Sequence, residues 1–214
     1  MNNSWNRVVY RIWSPFYDRI FNSGVFLKAR RQIFQEIPFN SGQKVLFVGV
    51  GTGADLELIN SSDLNIIAID FSPDMLNRAR GKFKNSSIKF LEMDAQNMEF
   101  KNETFDYVVA SLILSVVPDA DKCITEISRV LKKEGKILIF DKFVSKDKLS
   151  FPKKLLRPLI KALGTDIGLN FEKLFSINNT HLTIDEDKSV MMNGMYRKII
   201  LSKKNSSSAN RCVS

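Results

Sequence analysis

At 214 residues, 44% apolar and 26% charged, the chain has room for one α/β domain with a full core and little for a second. Cys123 and Cys212 are its only cysteines, which excludes a disulfide framework or a cysteine-based zinc site and matches a reducing cytoplasm. The net charge is +9, divided as +5 over residues 1–44, −4 over 45–141, +5 over 142–173 and +3 over 174–214, so basic charge is concentrated in the flanks of an acidic body.

Met1–Asn6 is polar, not the start of a secretory leader. The longest apolar run, Tyr107–Val117, is too short to span a bilayer and carries two serines. Asn2 and the position of Cys212 do not fit lipidation signals. The expected location is cytoplasmic, with peripheral contact at the inner face of the membrane allowed by the basic flanks. Those flanks serve either simple solubility or an anionic partner.

In chain order, residues 4–40 read as two helices. Val8, Val9, Ile12, Trp13 and Phe16 recur at helical spacing beside Arg7, Arg11 and Arg19, and a second helix runs from Val25 to about Ile37 and stops before Pro38. From Lys44 strands and helices alternate. Lys44–Gly49 is a strand that leads through a glycine turn into a helix starting near Gly53, and Asn65–Asp70 is the next strand. Ser72 is the expected N-cap of the following helix, with Pro73 at its first position and Asp74 favouring its dipole.

Ile88–Met93 and Phe105–Leu114 are the third and fourth strands. A helix after Asp119 aligns Ile124, Ile127, Val130 and Leu131 on one face and ends at Lys132, Lys133 and Gly135, before a fifth strand over Lys136–Phe143. Helical stretches at Phe151–Leu163 and Gly168–Phe175 follow. Thr180–Val190 and Tyr196–Ser202 form a hairpin about Asn193-Gly194, and Asn205–Ser214 is a polar tail expected to be disordered. The pattern predicts a mostly parallel sheet covered on both faces. Residues 1–204 form one domain: a helical lid over 1–40, then a core over 41–204 with a helical insertion at 151–175.

Three elements at successive strand ends carry the chemistry. The first is Gly49-Val50-Gly51-Thr52-Gly53, where glycines let the backbone approach a ligand and the expected helix presents free N–H groups to a carboxylate or phosphate. The second is Asp70, 21 positions after Gly49, where an acid accepts from ribose hydroxyls. The third is Met93-Asp94-Ala95, an acid placed for an adenine amino group beside a small residue that leaves room for the ring. Each alone fits a plain turn or a surface acid. Together they mark the carboxyl edge of a parallel sheet, where ligands bind.

With these residues, the sequence resembles the class I S-adenosylmethionine-dependent methyltransferases over about residues 40–204. The resemblance implies a Rossmann-like, seven-stranded sheet with an antiparallel last strand and S-adenosyl-L-methionine as methyl donor. It assigns Gly49, Gly51 and Gly53, with Val50 and Thr52 between them, to the methionine portion of the donor. Asp70 is assigned to the ribose, Asp94 and Ala95 to the adenine, Phe71 and Met75 to its flanks, and Ser111 to the methionine end. Family members usually carry an acid where Phe47 stands, so here the hydrogen bonding beneath the cofactor's amino-acid end lacks that acid.

The competing reading is a nicotinamide oxidoreductase, because Gly49-x-Gly51-x-x-Ala54 and Asp70 satisfy the dinucleotide fingerprint. Gly53, Asp94-Ala95 and the lack of chain for a substrate domain favour the methyl donor. Tyr17-Asp18, the glycine turn and the stretch Leu156–Ile167 resemble bacterial phosphatidylethanolamine N-methyltransferases, and the broader pattern is similar to ubiquinone and menaquinone biosynthesis C-methyltransferases. A small-molecule or lipid acceptor follows, with a phospholipid amine foremost. Tyr10 and Tyr17 lie in the segment that would cover the donor, and Tyr17 is the candidate for orienting substrate; packing within the lid is the alternative for both.

Trp13, Phe16, Phe151, Leu155 and Leu156 beside Arg11, Arg19, Lys153, Lys154 and Arg157 read either as an interface with an anionic membrane or as an ordinary lid. His181, the lone histidine, reads as structural. No metal site is expected. No nucleic-acid partner is expected either, since Ser111–Pro118 lacks the motif of base amino methylation. A non-catalytic binding module remains an alternative because of Phe47.

Overall fold

The computed structural model describes residues 23–144, 168–178 and 181–204. β-Branched and apolar residues dominate β1 (Lys44–Val48), β2 (Asn65–Asp70) and β4 (Phe105–Ser111), while β3 (Lys89–Glu92), β5 (Leu131–Lys142), β6 (Leu182–Met191) and β7 (Tyr196–Lys203) mix them with charged residues. They make one sheet in the order β3-β2-β1-β4-β5-β7-β6. Neighbours from β3 to β5 pair in parallel, and β7 runs antiparallel to both β5 and β6. This is the expected Rossmann-like architecture with its antiparallel last strand.

Among the described residues, four helices flank the sheet: α1 (Gly24–Gln35), α2 (Pro73–Lys82), α3 (Ala120–Val130) and α4 (Phe171–Asn178). Side-chain alternation along the strands feeds two cores. Leu46, Val48, Val108, Ala110, Ile137 and Ile139 meet Cys123, Ile124 and Ile127 of α3 on one face. Val45, Phe47, Val109, Leu138 and Phe140 meet Ala29, Ile33 and Phe34 of α1 on the other. Phe47, where an acid is usual, is thus a core residue only 2% exposed.

Several boundaries differ from the sequence reading for identifiable reasons. No regular helix follows Gly53; turns lead to a single 3-10 turn at Leu56–Leu58, and Ile59 is already extended. The polar cluster after it consumes the remaining chain, with Asn60 Oδ1 accepting from both the N–H and the hydroxyl of Ser62. β4 stops at Ser111 because Leu112 takes a left-handed φ of 55°. α3 stops at Val130, since Leu131 is extended and pairs with Phe105, and pairing shifts before resuming at Tyr107 and Lys136.

The left-handed residue after α3 is Glu134, at φ 62°. Gly135 is instead required by close packing: a Cβ there would lie 2.8 Å from Leu131 Cδ1 and 2.9 Å from the Lys132 carbonyl oxygen. α4 begins at Phe171, a few residues later than expected. The expected helices through Val8–Phe16 and Phe151–Leu163, and the tail from Asn205, lie outside the described residues. No described helix is long and apolar enough to cross a membrane.

α3 is tied to the loop before β4 by Arg129, which donates to Glu126 and to the carbonyls of Met98 and Phe100. Glu126 also accepts the Met98 N–H at 2.6 Å. The Arg129 hydrogen bond holds the Glu126 carboxyl below its ordinary value, against burial. A lowered carboxyl contributes stability that is fully present above its unfolded value, about 4.3, and lost as pH falls through the folded value. Glu126→Gln should therefore be less stable than wild type at neutral pH, and urea titrations should show the gap closing below about pH 4.

Candidate functional site

The chain leaves β1 for β2 on one side and later returns to place β4 on the other. The crevice at the carboxyl edge between β1 and β4 is the topological switch point, where open α/β sheets bind ligands. Gly49, Asp70, Asp94 and Ser111 follow or end the first four strands, all at this edge.

The glycine turn is shaped by backbone that L side chains rarely adopt. Gly49, Gly51 and Gly53 have φ of 67°, 56° and 79°. A Cβ on Gly49 would also lie 2.5 Å from Ile113 Cδ1, so the loop after β4 closes directly over the turn. Val50 and Thr52 are buried between the glycines. The turn is clasped to β2, because the Val50 N–H donates to the Ile69 carbonyl and the Gly51 N–H donates to Asp70 Oδ2 at 2.8 Å.

Asp70 accepts the Ser72 N–H on its other oxygen, also at 2.8 Å. Burial pushes its carboxyl above the ordinary value, and the N–H groups of Ser72, Gly51 and Phe71 pull the other way. Ser72 then caps α2, its hydroxyl accepting the Met75 N–H at 3.4 Å, with Pro73 and Asp74 in the first turn as expected. Met75 is 3% exposed and Phe71 half-buried.

Asp94 Oδ1 accepts both the backbone and side-chain amide of Gln96, each at 2.9 Å. Gln96 Oε1 in turn accepts the Asp119 N–H at the start of α3. Gln96 was not among the expected site residues, although its place directly after Asp94-Ala95 was visible in the sequence. Ala95 is buried. Ser111 is 8% exposed and its Oγ has no hydrogen-bond partner among the described residues.

The sequence-predicted residues from Gly49 to Ser111 therefore converge on one edge, while Tyr10 and Tyr17 lie outside the described residues. His181 is exposed at the opposite, amino edge, beside the start of β6. The expected helix dipole behind the turn is absent, since only a 3-10 turn follows Gly53. The loop over the turn is held instead by Asp141, fully buried at the end of β5, which accepts the Ser115 N–H at 3.1 Å.

Comparison with known proteins agrees with this geometry. Residues 46–139 match the methyltransferase-domain family. The chain is 32% identical over 192 residues to a phosphatidylethanolamine N-methyltransferase of Cereibacter sphaeroides, covering 87% of this chain and 92% of that one. The chain belongs to the class I S-adenosylmethionine-dependent methyltransferases. It is also 27% identical over 208 residues to a demethylmenaquinone methyltransferase of Lactobacillus johnsonii, covering 90% and 84%. Among solved structures, it superposes with TM-score 0.76 and 14% identity on a chain from the complex of the Haloferax volcanii Trm112 methyltransferase activator with a methyltransferase. That match spans 96% of this chain and 100% of the other.

For this methyltransferase, S-adenosylmethionine is the methyl donor. Asp70→Ala should weaken binding of the demethylated product, S-adenosylhomocysteine, by about 1.5–3 kcal/mol, the scale for hydrogen bonds to a charged group. Isothermal calorimetry reads this as a loss of roughly ten- to 150-fold in Kd. Unchanged affinity would place the ribose elsewhere.

Proposed function

We propose that this methyltransferase moves a methyl group from S-adenosylmethionine to a phospholipid amine of the phosphatidylethanolamine class, at an anionic membrane surface. The observation that carries the reading is the similarity to a phosphatidylethanolamine N-methyltransferase over nearly the full length of both chains. The basic flanks support the surface: each Lys or Arg near anionic lipid contributes about 1 kcal/mol, and residues 1–44 and 142–173 each carry +5.

The donor's fit rests on three features of the crevice. The glycine turn leaves backbone without side chains at the crevice. Asp70 offers a carboxylate already oriented by two backbone N–H groups. Ser111 Oγ is a buried hydroxyl in need of a partner. In this assignment Gly49–Gly53 and Ser111 take the methionine end, Asp70 the ribose, and Asp94, Ala95, Phe71 and Met75 the adenine. When bound, the donor supplies a methyl group already activated by its sulfonium.

The chain's own work is then to orient the acceptor in line, to exclude water and to leave the amine its lone pair. Tyr17 in the leading segment is the candidate for orienting it. Two exposed apolar side chains rise on the same edge: Val25, 66% exposed at the start of α1, and Met192, 54% exposed at the β6–β7 turn. They lie beside the Phe26–Tyr196 contact, which joins α1 to β7 at 5.3 Å, and add to the surface that would meet lipid.

The second reading is C-methylation of a quinone-type ring, favoured by the similarity to a demethylmenaquinone methyltransferase over a comparable span. Incubation with isotopically labelled donor and mixed phosphatidylethanolamine–phosphatidylglycerol vesicles should label the lipid amine. Label entering only an added demethylmenaquinone would select the second reading. Cosedimentation with the anionic vesicles should fade with salt, because the screening length falls to about 3 Å at 1 M. Reversing Lys153, Lys154 and Arg157 to Glu should reduce vesicle recovery and lipid labelling while sparing affinity for S-adenosylhomocysteine.

A further inference from the structure

Two buried cations fasten α1 to the core, at different places. Lys198 of β7, 3% exposed, reaches Glu36 at 2.7 Å and Glu186 at 3.1 Å, at the helix's carboxyl end. Arg30, in the middle of α1 and 2% exposed, places its Nε 2.6 Å from Asp55 Oδ1. Asp55 stands two residues beyond Gly53, on the segment that leaves the glycine turn.

That segment is the one whose expected helix is missing. A regular helix would hold the exit of the turn through its repeating backbone hydrogen bonds. Here the exit has one short bond from the Gly53 N–H to the Val50 carbonyl, then turns, then the three-residue 3-10 turn anchored by buried Leu56. Asp70 fixes the entry side of the turn through the Gly51 N–H. On the exit side, the most buried ion pair is Arg30–Asp55, with the more exposed Lys82–Glu57 pair, at 3.5 Å, beyond it. A buried ion pair adds little net stability over apolar residues of the same volume, but it tolerates few geometries.

We propose that Arg30 is a positioning residue for the methyl-donor turn: by holding Asp55 it sets the backbone of residues 52–55, so that seating of α1 and binding of the donor are coupled. The inference rests on the reading that the Gly49–Gly53 turn receives the donor. Coupling of this kind is reciprocal, so the donor in turn tightens α1 against the core. The helix α1 thereby senses whether the donor is in place.

The test uses the full chain and S-adenosylhomocysteine as probe, with Arg30→Met, Arg30→Lys, Asp55→Asn and Lys198→Met compared by calorimetry and thermal melting. Arg30→Met and Asp55→Asn should each weaken binding tenfold or more, the double variant no further than the worse single, and Arg30→Lys should recover part of the loss. Lys198→Met removes an equally buried cation, whose partner Glu36 caps the carboxyl end of the same helix. It should lower the melting temperature while leaving affinity within twofold of wild type. Amide exchange in wild type should slow in α1 when the probe binds, and Arg30→Met should abolish that slowing.

Arg30→Met and Asp55→Asn binding as wild type does, or Lys198→Met losing affinity to the same extent, would overturn the coupling. If Arg30→Met does not fold, Asp55→Asn carries the same readouts with the side-chain shape preserved. A wild type that binds no S-adenosylhomocysteine overturns the donor reading itself, and the inference with it.

Discussion

The clasp between Asp70 and the backbone of Gly51 organises the carboxyl edge of this sheet. One carboxylate oxygen holds the glycine turn after β1, and the other holds the Ser72 N–H that opens α2. The Asp70 carbonyl also accepts the Met93 N–H, bringing the end of β3 to the same place. A single residue thus joins the glycine turn, the start of α2 and the end of β3. Buried carboxylates are costly unless hydrogen-bonded, and here the bonds that offset that cost are the ones that shape the site.

Much of this was legible in the sequence because it depends on local rules. The bounds of β2 are those read from Asn65–Asp70, the Ser72-Pro73-Asp74 cap is present as expected, and the Asn193-Gly194 pair sits in the β6–β7 turn, with Gly194 at φ 84°. The site residues on the first four strands were legible for the same reason: a strand run followed by Gly, Asp or Ser marks a carboxyl end. What was not legible depends on contacts between distant segments. After Gly53 the expected helix gives way to turns, where Asp55 pairs with Arg30, 25 positions away, and Asn60 accepts from Ser62 in a local turn. Gln96 bridging to Asp119, and Asp141 holding Ser115, are likewise long-range hydrogen bonds that no periodicity announces.

The charge pattern also divides once partners are known. In the described core, several basic residues are spent internally: Arg129 on Glu126, Lys132 on Asp106, Lys203 on the carbonyls of Ser128 and Leu131. Arg197 pairs with Asp187 and Glu172 and lies over the rings of Phe143 and Phe171 at 5.6 and 5.1 Å. The excess that gives the chain its net +9 is therefore weighted towards the segments that flank this core, and that weighting gives the membrane reading its physical content.

Every described residue proposed for the donor is fixed by the sheet or by a turn clasped to it. The described core is entered at Ser23, and left and rejoined at Val144 and Gly168, on the same edge. Residues before Ser23 lead into α1 beside Tyr196, and the Val144 N–H donates to the Leu169 carbonyl at 2.8 Å, so residues 145–167 leave and rejoin the core at one point. An insertion whose ends are already closed costs little more as it lengthens. Sheet and turn can therefore stay constant while the inserted segment changes in length. The Arg30–Asp55 pair is one described link of this kind, running from α1 to the segment that leaves the Gly49–Gly53 turn.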